Sequence, residues 1–238
     1  MKIAEGYLSE WGSVRLGVPQ GTKLKPWVFL VMINDLAFNG ACVWKYVDDT
    51  TASEVVGKAE VSSAQIIADK VAEWFPDNRV QLNNEKCKEP RICFARNRAT
   101  FEPIGVHSKE LELADSAKLL GITTTSDLSW NTHVNDVIKK AAKRLYFVVQ
   151  LKRARVPCND LWLFYITCVR SVLDYAIPVC YYSLPKYLVN ELERGQKRAL
   201  KMMCACLSYD EALSHIDIAP LSVHHSNICA TFFQRDPK

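Results

Sequence analysis

The sequence predicts an α+β chain in two parts. A strand-and-helix segment covers residues 1–127, and an all-helical basic segment covers 128–238. Three observations carry this. Up to about residue 128, short apolar runs alternate with Gly-, Pro- and Asn-containing turns. Beyond it, apolar residues recur at helical spacing for a long way. The charge is also lopsided. Trp130 to Lys201 holds thirteen Lys or Arg against five Asp or Glu, whereas the whole chain has a net charge of only +4. That segment is +8 and the remainder −4, so an anionic partner, nucleic acid first, is expected for the second part.

In the first part, Pro26 is expected to start a helix through Phe29, Leu30, Ile33 and Leu36, ended by Asn39-Gly40. Two strand-forming runs follow, Cys42 to Val47 and Thr50 to Val56, with Asp48 and Asp49 as the turn of a hairpin. Glu60 opens a helix toward Trp74, and further strands are expected at Arg91 to Ala95 and Lys118 to Thr123. In the second part, Ser129 or Asn131 caps a helix whose core face is Val134, Val137, Ile138, Ala141, Leu145, Val148 and Val149. Lys139, Lys140, Lys143 and Arg144 take its other faces. Pro157 and Pro185 separate two further helices, and Ser208 with Glu211 forms a capping box for a fourth.

Composition excludes several classes. With 49% hydrophobic and 24% charged residues, the chain is neither disordered nor collagen-like. Nine cysteines at irregular spacing, with no apolar leader after Met1, predict reduced thiols and an intracellular protein, nuclear or cytoplasmic. No membrane partner is expected, because Leu161 to Leu184 is interrupted by Arg170, Asp174 and Pro178. Arg170 and Asp174 are four apart and can pair on one helix face. Cys42, Cys168 and Cys180, and the indoles of Trp27, Trp44 and Trp162, are expected in the core. Cys204, Cys206, His224, His225 and Cys229 are zinc-ligand types but lack a paired Cys-x-x-Cys.

Tyr46-Val47-Asp48-Asp49 is the candidate chemical centre. Adjacent carboxylates at a turn repel, and a divalent cation removes the repulsion. Two such ions about 3.5–4 Å apart can activate a hydroxyl and stabilise a departing pyrophosphate. Upstream stand Arg15-Leu16-Gly17-Val18-Pro19-Gln20-Gly21-Thr22 and Ile33-Asn34-Asp35-Leu36. Motifs of this kind, in this order, resemble the reverse transcriptases of non-LTR retrotransposons. Val80 to Cys87 resembles the next palm motif, and Lys118 to Ile122 the primer grip. Leu128 to Leu145, Leu173-Asp174-Tyr175-Ala176 and Glu193 to Ala199 resemble thumb patterns.

The resemblance implies a partial palm, an antiparallel sheet with helices, followed by a thumb-like helical region. It implies an RNA-directed DNA polymerase using Mg²⁺ or Mn²⁺, an RNA template, a DNA primer and deoxynucleotides. Asp48 and Asp49 become metal-binding and catalytic, and Lys86 a proton donor to pyrophosphate. Gln20, Gly21, Tyr46 and Gly121 lie along template, nucleotide and primer. Lys139, Lys140, Lys143 and Arg144 hold the nucleic-acid backbone. Met1 to Val14 lacks the earlier palm aspartate, and Lys25 stands where the family usually has Gly. The expectation is an N-terminally truncated piece that is inactive alone and completed by the fingers and palm of the same element. Two rival readings stay open: a non-enzymatic nucleic-acid-binding remnant using the basic helices, or an unselected decayed element.

Overall fold

A computed structural model describes residues 2–4, 7–8, 22–37, 42–57, 60–94, 101–107 and 109–234. Arg15 to Gly21, with Gln20 and Gly21, and the Asn39-Gly40 stop signal lie outside them. Two compact units form, Met1–Glu89 with Asn97–Leu113, and Pro90–Arg96 with Ala114–Lys238. The mixture of helices and small sheets is α+β. Among the described residues no sheet is wider than two strands.

In the first unit, β1 (Lys2–Ala4) pairs antiparallel with β2 (Tyr7–Leu8). Helix α1 runs Leu24–Met32, so it starts before Pro26 and stops well short of Asn39. Proline is tolerated at its third position because first-turn amides have no intrahelical partner. The chain leaves the helix through tighter bonds, Asn34 N to Val31 O and Leu36 N to Ile33 O. Ile33 and Leu36 anchor this turn as buried side chains.

Strands β3 (Cys42–Tyr46) and β4 (Asp49–Ser53) form the predicted hairpin. Helix α2 is Ala64–Asp77, starting four residues after Glu60. Its first turn is capped from outside by the Glu54 carboxylate, which accepts from Ser63 N at 2.9 Å, Ser63 Oγ at 2.7 Å and Ala64 N at 3.1 Å. Glu60 instead accepts from the Gly57 amide at 2.7 Å. Short strands follow at β5 (Lys88–Pro90), β6 (Gly105–Val106), β7 (Lys109–Glu110) and β8 (Glu112–Ala114). Gln65 docks β6 on α2 by bonding both the amide (2.8 Å) and the carbonyl (2.9 Å) of Gly105.

The second unit opens with β9 (Ser116–Leu119) and β10 (Ile122–Thr125). The expected strand Lys118 to Thr123 is thus a hairpin folded at Leu120-Gly121, and residues 91–94 form no strand. Both turn residues have positive φ, +46° and +85°, the geometry of a two-residue turn that matches strand twist.

Helix α3 (Asn131–Arg153) carries the core stripe Val134, Val137, Ala141, Leu145 and Val148. Its N-cap is Trp130, not Ser129 or Asn131, and no side chain caps it there. Asp127 draws Ser129 away, accepting from the Ser129 amide at 3.0 Å and the Thr125 hydroxyl at 2.6 Å. The Thr125 hydroxyl, then the Ser129 amide, hold the Asp127 carboxyl at about 2.

The stretch Cys158–Ser183 is long and apolar enough to cross a membrane by composition. It folds as α4 (Cys158–Phe164), a wide π-type turn at Tyr165–Arg170 and α5 (Ser171–Leu173). The chain then breaks, with Ala176 at φ +56°, before α6 (Ile177–Cys180). Leu161, Tyr165, Val169, Leu173 and Ile177 are buried in the same core as the α3 stripe. The Arg170–Asp174 pair is present at 3.6 Å.

Helix α7 (Lys186–Met203) follows Pro185, and α8 (Tyr209–His215) has the predicted capping box. Helix α9 (Leu221–Gln234) was not expected. Glu193 caps it from α7, accepting from Leu221 N at 3.1 Å, Ser222 N at 2.9 Å and the Tyr209 hydroxyl. Fully buried Gln196 bonds Tyr165 (3.0 Å), Tyr209 (3.1 Å) and the Ala219 carbonyl (3.2 Å).

Candidate functional site

The hairpin places the two aspartates unequally. Tyr46 pairs with Asp49, so the two-residue turn is Val47-Asp48, and Asp49 is the first residue of β4. The expected Asp48-Asp49 turn is therefore shifted by one residue. Both carboxylates and the Tyr46 ring are exposed. Val47 sits at φ +54°. The first central position of such a turn favours Gly, and a β-branched residue there is strained.

A side chain the sequence reading passed over fixes this hairpin to the preceding motif. Lys45 is half-buried on β3, and its ammonium donates to three carbonyls: Ile33 at 2.8 Å, Asn34 at 3.1 Å and Leu36 at 3.0 Å. The three bonds satisfy all three of its N–H donors. They also place positive charge at the carbonyl end of α1, where the helix dipole is negative. The available signal was a lysine at the inward position of an otherwise apolar strand, beside Val43.

Among the described residues no group of three or more His, Cys, Asp or Glu comes together to hold a metal. Two exposed carboxylates offer hard oxygen donors that fit one Mg²⁺ or Mn²⁺ sharing water and phosphate oxygens. They do not form an all-protein cage. Glu54, the next acid after the hairpin, is committed elsewhere. Burial pushes its carboxyl up, but hydrogen bonds from Ser62, Ser63 and Ala64 outweigh that and hold it below its ordinary value.

Lys86 is exposed in the turn Asn84 to Lys86, with its own amide on the Asn83 carbonyl. Gly121, in the second unit, is latched from above. The Tyr175 hydroxyl donates to the Leu120 carbonyl at 2.5 Å, and a Cβ on Gly121 would meet the Tyr175 ring at 3.3 Å. The stem of the same hairpin is held by Thr123 N donating to His133 Nδ1 at 3.3 Å. Tyr175 follows Asp174, on which His225 Nε2 (3.0 Å) and His224 Nε2 (3.2 Å) converge. Those two histidines are therefore engaged with a carboxylate rather than with cysteines.

Of the four α3 residues expected to hold the nucleic-acid backbone, Lys139, Lys140 and Lys143 are exposed on one side of the helix. Arg144 differs. Its guanidinium donates to the Cys168 carbonyl in the π-type turn, where Thr167 and Ser171 hydroxyls also bond carbonyls one turn back. Arg144 thus docks α3 on its neighbour. Trp162 and Cys180 are core residues as expected. Trp27 and Trp44 are instead 70% and 56% exposed, and Cys42 is exposed, because their strand and helix faces have nothing packed over them among the described residues.

The chain is similar to the RNA-directed DNA polymerase from mobile element jockey of Drosophila melanogaster, 23% identical over 199 residues and 77% of this chain. It is also similar to the probable RNA-directed DNA polymerase from transposon X-element of the same organism, 24% identical over 134 residues and 52% of this chain. The chain spans 20% and 14% of the lengths of these relatives. Both of these relatives are RNA-directed DNA polymerases of mobile elements, and the chain is similar to them over much of its length. Residues 130–171 match a family described as alkylated DNA repair protein alkB homolog 8, N-terminal, a match confined to α3, α4 and the π-type turn. No solved structure matches the chain.

Proposed function

We propose that this chain carries part of the palm, with its aspartate hairpin, and the thumb of an RNA-directed DNA polymerase. One observation carries the reading: two exposed aspartates at the end of a hairpin that is tied by Lys45 to the Ile33-Asn34-Asp35-Leu36 turn. Asp48 and Asp49 hold the divalent cation. Bound Mg²⁺ or Mn²⁺ supplies the charge that offsets the triphosphate and lowers the barrier to attack by a primer hydroxyl. Tyr46, exposed beside them, offers a ring to the nucleotide or primer end. Lys86 is a proton donor to the departing pyrophosphate. Gly121, in the turn latched by Tyr175, lies near the primer end. Lys139, Lys140 and Lys143 neutralise backbone phosphates without reading sequence. The partners are an RNA template, a DNA primer and deoxynucleotides.

Two carboxylates alone make a weak metal site, so activity of the chain by itself is expected to be low. Primer extension on an RNA template with Mg²⁺, in wild type and Asp49→Asn, tests this. Robust synthesis abolished by the substitution would establish the polymerase and sink the claim of weakness.

A second reading has its own observation, the three exposed lysines on one side of α3. In it the chain binds nucleic acid without catalysis. Salt-sensitive binding unchanged by Asp48→Asn, with no synthesis under any metal, would favour it.

A further inference from the structure

We infer that Lys45 is a positioning residue of the aspartate hairpin, coupling the turn that ends α1 to the carboxylates that hold the cation. This rests on the polymerase reading of Asp48 and Asp49.

Among the described residues the hairpin has little else to hold it. On β3, Cys42, Trp44 and Tyr46 are exposed, and only Val43 and Lys45 face inward. On the other side stands a platform with few degrees of freedom. Ile33 and Leu36 are 4% and 1% exposed, and backbone bonds from Ile33 N to Phe29 O (3.0 Å) and Leu36 N to Ile33 O (3.2 Å) close the turn between them. Lys45 reaches this platform across 9 to 12 residues of sequence and binds three of its carbonyls.

The register makes the link short. Lys45 pairs with Thr50, and the next rung is Tyr46 with Asp49. Lys45 is thus one rung from Asp49 and three residues from Asp48. A shift of its ammonium moves the ladder that sets where both carboxylates sit. Removing it would also leave three carbonyls at the end of a helix without this donor. Metal affinity is sensitive to groups that orient ligands without touching the metal, with losses of about 10–100-fold when they are removed.

Lys45 spends its three N–H donors on those carbonyls and makes no contact with the carboxylates. A like charge can only oppose a nearby cation, so any favourable effect of Lys45 is one of geometry, most of which an arginine, with donors to spare, can reproduce.

The experiment is Mn²⁺ binding to the full chain, read by electron paramagnetic resonance of the free ion. Wild type, Asp49→Asn, Lys45→Met and Lys45→Arg are compared. Amide exchange of the Cys42–Ser53 ladder reports whether the hairpin is still formed. The expected result is binding lost in Asp49→Asn, weakened about tenfold or more in Lys45→Met, and mostly restored in Lys45→Arg with the ladder protected. Wild-type affinity in Lys45→Met overturns the inference and leaves the polymerase reading standing. So does equal weakening in Lys45→Arg with an unprotected ladder, which assigns Lys45 to folding alone. Equal Mn²⁺ binding in wild type and Asp49→Asn overturns the metal site itself, and the inference with it.

Discussion

Tyr175 Oη lies 2.5 Å from the Leu120 carbonyl oxygen and donates to it, joining residues 55 apart in sequence. The bond closes over Gly121, where an added Cβ would crowd the ring above it at 3.3 Å. Tyr175→Phe removes only the hydroxyl and should cost about 1 kcal/mol, the worth of an ordinary hydrogen bond. Gly121→Ala should cost more than that. It adds a Cβ at φ +85° and 3.3 Å from the ring. Urea denaturation of the two variants gives the order. A larger loss in Tyr175→Phe would mean the hydroxyl, rather than the shape of the turn, holds the hairpin.

Val47 at φ +54° predicts a trade between stability and function. Val47→Gly should stabilise the hairpin by about 1 kcal/mol or more, since non-Gly residues in this region cost about 1–3 kcal/mol. It should also loosen the turn that sets where Asp48 sits relative to Asp49. The check is slower amide exchange along Cys42–Ser53 together with weaker Mn²⁺ binding. Slower exchange with unchanged binding would make the strain incidental.

His133 predicts a dependence on pH. Burial, then the Lys140 charge, push its pKa below the ordinary 6.5, with Asp136 opposing. Its Nδ1 accepts from Thr123, which a neutral ring can do and a doubly protonated ring cannot. As pH falls below 6.5 the unfolded chain takes up a proton that the folded one resists. Stability should therefore fall from about pH 6.5 downward, and level off below the folded pKa. Denaturation between pH 5 and 8 should show this slope in wild type. The slope should be reduced in His133→Gln, and an unreduced slope would assign it to other groups.

The basic face of α3 predicts a division of labour. Replacing Lys139, Lys140 and Lys143 together by Ser should lower the salt dependence of nucleic-acid binding by up to about 3 units of log–log slope on a duplex. Arg144→Ala should leave the slope nearly unchanged. It should instead reduce thermal stability, because the Cys168 carbonyl loses its donor. Fluorescence anisotropy at several salt concentrations and a melting curve separate the two. An equal slope change from Arg144 would return that residue to the binding face.

What could be read from the sequence was mostly what depends on neighbours in sequence. The capping box at Ser208 and Glu211 spans three residues and forms as expected. The core stripe of α3, the helix after Pro185 and the Arg170–Asp174 pair also follow from spacing. The aspartate hairpin itself was legible from two β-prone runs. Its register was not, because pairing Tyr46 with Asp49 depends on where the ladder closes, which composition does not set.

The misses come from partners far along the chain. Helix α2 starts at Ala64 because Glu54 caps it, and α9 starts at Leu221 because Glu193 reaches it across 28 residues. Arg144 is exposed on an outer face, as periodicity places it, but periodicity does not show its bond to the Cys168 carbonyl. Only the π-type turn, which leaves a carbonyl facing α3, gives it another task. Lys45 was missed for a similar reason, since nothing in its own strand names the carbonyls it binds.

The Glu54 cap has a kinetic side. Its bonds to Ser62, Ser63 and Ala64 close loops of only 8 to 10 residues, and the hairpin it follows is joined by a two-residue turn. Loops of that size close in about 10–100 ns and hairpins in about 1–10 μs. Helix initiation is the slow, costly event in helix growth, and an external carboxylate that gathers the first amides lowers that cost. The segment from Cys42 to Asp77 is therefore expected to assemble early from its own residues, with higher φ-values at the start of α2 than at the start of α9 as the check.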